Sequence, residues 1–513
     1  MKVLDYFKEI CKIPHGSGNT KAIADYCINF AKEQGFEYYT DALNNVIIYA
    51  PGTVGFENHK PVILQGHLDM VCEKTEDKEF DFYCDSLELR TEGDFLYATD
   101  TTLGADNGIA VAMILTLLAD KTAQHPPIEA VFTTDEEIGM FGAKKLDVTK
   151  LSSTTLINLD SDSEGVLIVS CAGGAKVDIH KELQIEYVHN VLKSIDDIYQ
   201  NAEKQTEVSG IPFRITVSGL KGGHSGIEIN KGRLNSNKVM AAFLGALKAN
   251  GYEVRFATLN GGFKDNAIPT NTSAIVFLRK PGTNSIVSLL LDVMQLKEKF
   301  VEENNLETDL GLDISIKAYE PTIDTLVANL EDSTELIDFL IELPDGVQKM
   351  SADIKNLPET SLNLGVLKIS QQIPDGYLPE LYKQLKIDSD MRVSVRSSKK
   401  AEKEALLKKI EELANKRNAK FSVSGSYPAW EYRKDSPLRG IMVSAYRDLF
   451  GKEPEIKAIH AGLECGLFAD KIENLDCVSF GPDLFDIHTP REHLSISSAE
   501  RTYKYLLEVL KRL

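Results

Sequence analysis

The stretch from Pro61 to Val71, PVILQGHLDMV, constrains this chain more than any other. Val62, Ile63 and Leu64 form a short apolar run between Pro61 and Gly66, the pattern of a buried strand. His67 and Asp69 follow, one residue apart. In an extended backbone residues i and i+2 project to the same side, so an imidazole and a carboxylate leave this strand end together. A nitrogen ligand beside an oxygen ligand suits zinc or manganese. A core histidine paired with a loop aspartate would give the same local pattern, so the rest of the chain has to decide.

Polar groups recur where other apolar runs stop. Asp135, Glu136 and Glu137 follow IEAVFTT, Asp160 follows LINL, and His488 lies beyond CVSFGP. Ligand sites in open α/β sheets sit outside the carboxyl ends of the strands, so these groups can share one crevice. Asp106 stands at the mouth of Asn107 to Asp120 (NGIAVAMILTLLAD), a segment apolar on nearly every side and therefore expected to be a buried helix. Taken alone, Asp106 reads equally well as a helix N-cap.

As ligands, His67 and His488 on two sides, Asp106 as a bridge, and Glu137 and Asp160 as terminal carboxylates would fill two zinc sites, with Asp69 as orienter or weak ligand. Two zinc ions about 3.5–4 Å apart can clamp a water, lower its pKa and polarise a carbonyl. A spare carboxylate must then carry the proton of that water. Glu136 and Glu137 are neighbours, so one can face metal and the other the water.

The chain has 513 residues, beyond the roughly 250–300 that one hydrophobic core supports, which predicts two domains or more. The alternation of apolar strands and helices over residues 1–180 predicts an α/β mixed sheet with helices on both faces. Residues 181–427 read differently: Ile211 to Ser218 alternates like a half-exposed strand, and Asn235 to Lys248 and Lys400 to Lys416 are helical. This predicts an inserted α+β domain, with the first pattern returning over 428–513. The last helix is expected to open on Ser497-Ser498-Ala499-Glu500 as a capping box.

A net charge of −20, from 57 Lys and Arg against 77 Asp and Glu, argues against a nucleic-acid backbone or an anionic membrane as partner. No run approaches the ~18 apolar residues of a membrane span, and the N-terminal segment lacks a signal-peptide apolar core. Seven cysteines, an odd number without a Cys-x-x-Cys pair, fit reduced thiols in the cytoplasm.

The segment Gly219 to Gly226 (GLKGGHSG) lacks the Gly-Lys-Ser/Thr ending of a phosphate-binding loop. His224 within it reads as a donor on a loop, or as part of a structural turn. His59, His125 and His493 have no acidic neighbourhood in sequence, and nothing in the pattern ranks His15 or His460.

Together the segments GHLDM (66–70), TTLGADNGIA (101–110), TDEEIGMFGA (134–143), NLDSDSEG (158–165), GLKGGHSG (219–226), SLNLGV (361–366), HAGLECGLF (460–468) and HTP (488–490) resemble the aminoacyl-histidine dipeptidases (PepD, Xaa-His dipeptidase), a branch of the co-catalytic zinc peptidases. The resemblance implies a catalytic domain (1–180 and 428–513) interrupted by a lid and dimerisation domain (181–427), and a homodimer. It implies two zinc ions per chain, with cobalt or manganese as substitutes. Asp106 would bridge them, His67 and Asp160 would hold one, and Glu137 and His488 the other. Glu136 would be the general base and later acid, and Asp69 would orient His67. A cis peptide bond is implied between Asp106 and Asn107. On the lid, His224 would stabilise the oxyanion and Asn266 and Arg396 would grip the substrate's carboxylate, while Gly462 would offer a backbone contact. The segment at 158–162 departs from close relatives, which often carry an acid one position earlier; this leaves the roles of Asp162 and Glu164 open.

The expected activity is metal-dependent hydrolysis of dipeptides with a free α-amine, of Xaa-His type and broader. A tripeptidase or N-acyl amino-acid deacylase could use the same metal site. A ligand-binding protein that had lost catalysis would lack a ligand or the base, and every such position is filled here.

Overall fold

The computed structural model describes residues 2–188, 210–283, 286–319, 325–372 and 386–513. They form two compact units, Met1–Ala172 with Pro428–Leu513, and Gly173–Tyr427. The first crossover therefore falls at Ala172 and not at 180. The strand Gly173–Leu183 pairs along its length with Lys386–Ser397 and so belongs to the inserted unit.

The first unit is built on an eight-stranded sheet. Its strands are β1 (Glu37–Thr40), β2 (Val46–Ala50), β3 (Val62–His67), β4 (Ile128–Thr133), β5 (Thr155–Asn158), β6 (Val166–Cys171), β7 (Glu455–Ile459) and β8 (Asp476–Ser479). Their spatial order is β1-β2-β4-β3-β5-β8-β6-β7. β3 runs parallel to β4 and β5, and β8 runs parallel to β5, while β1, β2 and the β8–β6 contact are antiparallel. Every residue of β3, β4 and β6 is buried, so both faces of the sheet are covered there. This is why these strands read as unbroken apolar runs. Because β3, β4 and β5 are parallel neighbours, their carboxyl ends lie side by side, and His67, Asp135 to Glu137 and Asp160 leave from one edge.

Helix α1 (Ala105–Ala119) is buried on all sides from Asn107 to Leu118, as its composition requires. It opens on Gly104 in the left-handed region and breaks at Asp106 and Asn107, whose shared peptide bond is cis. Asp106 is thus no N-cap. It sits inside the break, its carboxylate free of the helix backbone. Helix α2 (Glu464–Lys471) follows β7, and α3 (Ile496–Arg512) closes the chain. Ser495, and not Ser497, caps α3, accepting from Ser498 N; Ser497 instead donates its hydroxyl and its N–H to Asp94. A local capping box loses here to a longer-range acceptor.

The inserted unit carries a nine-stranded sheet whose pairings are all antiparallel, with the helices Ser236–Ala249, Leu330–Glu342 and Lys400–Asn415 contributing to its core. A short ribbon of Gly223–His224 against Ala267–Ile268 stands apart from that sheet.

Candidate metal centre

His67 ends β3, and its backbone N–H is accepted by Asn107 Oδ1 at 3.2 Å. The Asn107 amide also donates to the carbonyl of Leu159 at 2.9 Å, tying the mouth of α1 to the ends of β3 and β5. Gly66 makes this possible: a Cβ there would stand 2.5 Å from Asn107 Oδ1. The imidazole Nδ1 of His67 donates to the backbone carbonyl of Asp69 at 2.9 Å, which leaves Nε2 without a proton in the neutral ring.

Nε2 lies 3.2 Å from Asp106 Oδ1 and 3.5 Å from Asp160 Oδ1. His488 mirrors it across the same carboxylate, with Nε2 3.2 Å from Asp106 Oδ2 and 3.0 Å from Glu137 Oε1. Each imidazole thus faces one oxygen of Asp106 and one further carboxylate. Zinc bonds of about 2.0–2.2 Å at tetrahedral angles put ligand atoms roughly 3.3–3.6 Å apart, close to these spacings. Glu137 Oε1 is buried and has no hydrogen-bond partner among the described residues, although His488 Nε2 is near it. A cation between the two atoms would satisfy both, where a single N–H already aimed at Asp106 cannot. One ligand atom each from His67, Asp106 and Glu137 lies within 4.8 Å of the others. The donor set fits divalent metal ions.

The electrostatics agree. Burial alone would keep His67 neutral, but Asp160, Asp106 and Asp69 outweigh it and hold the imidazole well above its ordinary value. The carboxylates of Asp106 and Glu137 beside it raise His488 to about 10. Burial pushes Asp160 up to about 6 against the pull of His67. Burial also opposes ionisation of Asp106, yet the two histidines win and hold it far below the carboxylate range. A site that binds protons this tightly is one that a metal cation can load by displacing them.

The carboxylate of Asp69 lies 3.6 Å from His67 Nδ1, so the direct contact to the ring is made by its backbone carbonyl instead. Its oxygens accept from Ser17 Oγ at 2.7 Å, Glu136 N at 3.0 Å and Glu137 N at 3.3 Å. Asp69 therefore fixes the turn that presents both glutamates. Burial, with Asp160, Glu464 and Glu137 adding to it and His67 opposing, raises the Glu136 carboxyl well above the usual carboxylate range.

His488 has φ +62° and sits in the loop between the strands Leu484–Phe485 and His493–Ser495. The rings of Phe485 and His493 stack at 4.9 Å across the base of that loop. Glu492, at the end of the loop, is buried and accepts from four successive N–H groups: Leu103 at 2.8 Å, Gly104 at 3.1 Å, Ala105 at 2.8 Å and Asp106 at 3.3 Å. One carboxylate thus ties the His488 loop to the backbone that carries Asp106. Ser17 and Glu492 do not stand out in the sequence. Glu164 is taken by Arg501 through two bonds of 2.7 and 2.6 Å, while Asp162 is exposed and accepts from Ser163.

The inserted unit holds His224, Asn266 and Arg396. His224 Nδ1 accepts from the N–H groups of Gly226 at 3.1 Å and Ile227 at 3.2 Å, so the ring's proton is on Nε2. Burial, then the charge of Arg396, lowers its pKa and keeps it neutral. Asn266 adjoins it, its carbonyl accepting from Ser225 N at 2.8 Å. Arg396 donates from Nη1 to the Tyr427 hydroxyl at 3.3 Å, and its buried Nε has no hydrogen-bond partner among the described residues. Gly462 stands in the first unit, in the loop between β7 and α2.

A mixed sheet whose strand ends converge on imidazoles and carboxylates suited to metal marks a metallopeptidase, and the chain belongs to peptidase family M20/M25/M40, whose model matches residues 63–512. Within the family it is 34% identical over 510 residues to the cytosol non-specific dipeptidase of Escherichia coli K12, covering 99% of this chain and 97% of that one. The crystal structure of the aminoacylhistidine dipeptidase from Vibrio alginolyticus superposes with a TM-score of 0.85 at 32% identity, over 100% of this chain and 96% of that one. The aminopeptidase PepT of Bacillus cereus, at 13% identity and a TM-score of 0.53 over 99% and 97% of the two chains, shares the fold alone.

Proposed function

We propose that this chain hydrolyses dipeptides with a free α-amine, aminoacyl-histidine dipeptides among a broader set, using two zinc ions. The observation that carries the reading is the pair of imidazole nitrogens facing the two oxygens of Asp106, each at 3.2 Å. His67 and Asp160 would hold one ion, Glu137 and His488 the other, with Asp106 between them; cobalt or manganese suits the same N/O ligands. The bound ions supply Lewis-acid polarisation of the scissile carbonyl and acidify a water.

The chain's own groups do the rest. Glu136 takes the proton of the attacking water and passes it to the leaving amine nitrogen, a role favoured by its raised proton affinity. Asp69 keeps Glu136 and Glu137 in register by holding their N–H groups. His224, neutral with its proton on Nε2, donates to the oxygen that gains charge. Arg396, whose buried Nε has no partner among the described residues, and Asn266 would bind the substrate's carboxylate, and Gly462 would contact substrate through its backbone. On this reading the first unit is catalytic and the second acts as lid and dimerisation domain. A cytoplasmic homodimer belongs to the same proposal. Seven free cysteines and the naming of the Escherichia coli relative support the compartment.

The test is Glu136→Gln with metal analysis and a panel of carnosine-like dipeptides, other dipeptides, tripeptides and N-acyl amino acids. We expect turnover to fall by about 10²–10⁴ with metal content unchanged. Retained turnover would remove Glu136 from the role, and a preference for tripeptides or N-acyl amino acids would move the activity to that class.

A further inference from the structure

Beneath the metal cluster lies a buried polar row that the mechanism does not use. Glu464, the first residue of α2, is 0% exposed. Its Oε2 accepts from Gln65 Nε2 and from Thr133 Oγ1, both at 2.6 Å. Gln65 Oε1 accepts in turn from Asn158 Nδ2 at 2.5 Å. Gln65, Thr133 and Asn158 belong to β3, β4 and β5, the three parallel neighbours whose ends present the cluster. Gln65 lies two residues before His67 and Asn158 two before Asp160, so each shares its strand face with a proposed ligand. Thr133 is the last residue of β4, just before the turn of Glu136 and Glu137.

Neighbouring strands hold one another by backbone bonds, but those bonds do not fix how side chains at their ends are aimed. A single acceptor shared by the side chains of two strands, with the third joined through Gln65, does. Such outer partners of metal ligands carry about 10–100-fold in metal affinity or activity.

We propose that Glu464 is a positioning residue for the metal cluster. Its carboxylate ties the ends of β3, β4 and β5 so that His67, Glu137 and Asp160 converge on Asp106. The inference rests on the metallopeptidase reading above. It assigns no contact with substrate to Glu464, and it attributes the effect to the shared acceptor and not to charge.

The test compares Glu464→Ala, Glu464→Gln and Thr133→Val by zinc affinity, measured by chelator competition, and by kcat and KM on a dipeptide. Glu464→Ala leaves the Thr133 hydroxyl without its acceptor and Gln65 Nε2 with only its longer bond to Thr133 Oγ1 at 3.1 Å. We expect zinc affinity and kcat to fall on the order of 10-fold or more, with KM unchanged. Glu464→Gln keeps an acceptor oxygen for both donors and should restore both quantities to within about threefold of wild type. Thr133→Val keeps the side-chain shape and removes both the donor to Glu464 and the hydroxyl that accepts from Gln65, so it should weaken zinc binding in a folded protein even where the alanine variant does not fold. Simple destabilisation would lower Tm without changing zinc affinity in the folded fraction. Unchanged zinc affinity in Thr133→Val, or a glutamine variant as impaired as the alanine one, overturns the proposal. The zinc arm needs no peptide, so a chain that binds zinc normally but cleaves no dipeptide would fault the substrate reading and leave this comparison valid. A wild-type chain that binds no divalent ion would overturn both.

Discussion

Replacing Glu492 by alanine withdraws the one acceptor that serves the N–H groups of Leu103, Gly104, Ala105 and Asp106. Three of these bonds are 3.1 Å or shorter and the fourth, to Asp106, is 3.3 Å. A buried donor left without a partner costs about 1–3 kcal/mol, but such costs do not add, and water can enter the space the side chain leaves. The loss should therefore exceed that of one orphaned donor and fall well short of four, about 2–4 kcal/mol. Glutamine offers one acceptor oxygen and turns an NH₂ toward N–H groups, so it should lose about half as much. Trp430, the single tryptophan, is buried in the same unit, so its fluorescence in urea reads the unfolding of that unit. In metal-free protein the order of stability should be wild type, Glu492→Gln, Glu492→Ala. Zinc affinity should fall about 10–100-fold in the alanine variant as Asp106 loses its tether. A loss under about 0.5 kcal/mol with unchanged zinc affinity would refute the reasoning.

Two further outcomes follow from the same geometry. Gly66→Ala puts a methyl group 2.5 Å from Asn107 Oδ1 and 3.0 Å from Ala110 Cβ, so it should destabilise by about 1–3 kcal/mol and weaken zinc binding through His67. Native zinc affinity in that variant would contradict the role given to Asn107. In the metal-free protein His488 is protonated below about 10, and His67 likewise holds its proton above the ordinary histidine range. Metal must displace these protons, so affinity should rise with pH between about pH 6 and pH 9, with protons released to the buffer. Calorimetry in buffers of different ionisation enthalpy reads that release; a pH-independent affinity would contradict it.

The sequence made legible what local pattern controls. β3, β4 and β5 are short buried runs, and each ends on a residue whose chemistry is visible without the fold: His67, the acids after Thr133, and Asp160. The buried helix announced itself because it is apolar on every side. The rest depends on contacts between distant parts of the chain. Glu464 meets Gln65 across 399 residues and Glu492 meets Leu103 across 389, and no periodicity carries such information. The carboxylate of Asp69 lies 3.6 Å from the His67 ring, and it also holds the glutamate turn through two N–H groups and Ser17, which no local pattern shows. The domain crossover was read late for a similar reason. The strand Gly173–Leu183 continues the earlier alternation but pairs within the inserted sheet.

The central claim is that Asp106 joins two cations held by groups from three strand ends and one hairpin loop. Anomalous diffraction at the zinc edge from zinc-loaded crystals tests it directly. The account predicts two peaks about 3.5–4 Å apart, with Asp106 contacting both, His67 and Asp160 at one, and Glu137 and His488 at the other. A single peak, or two that do not share Asp106, would contradict it.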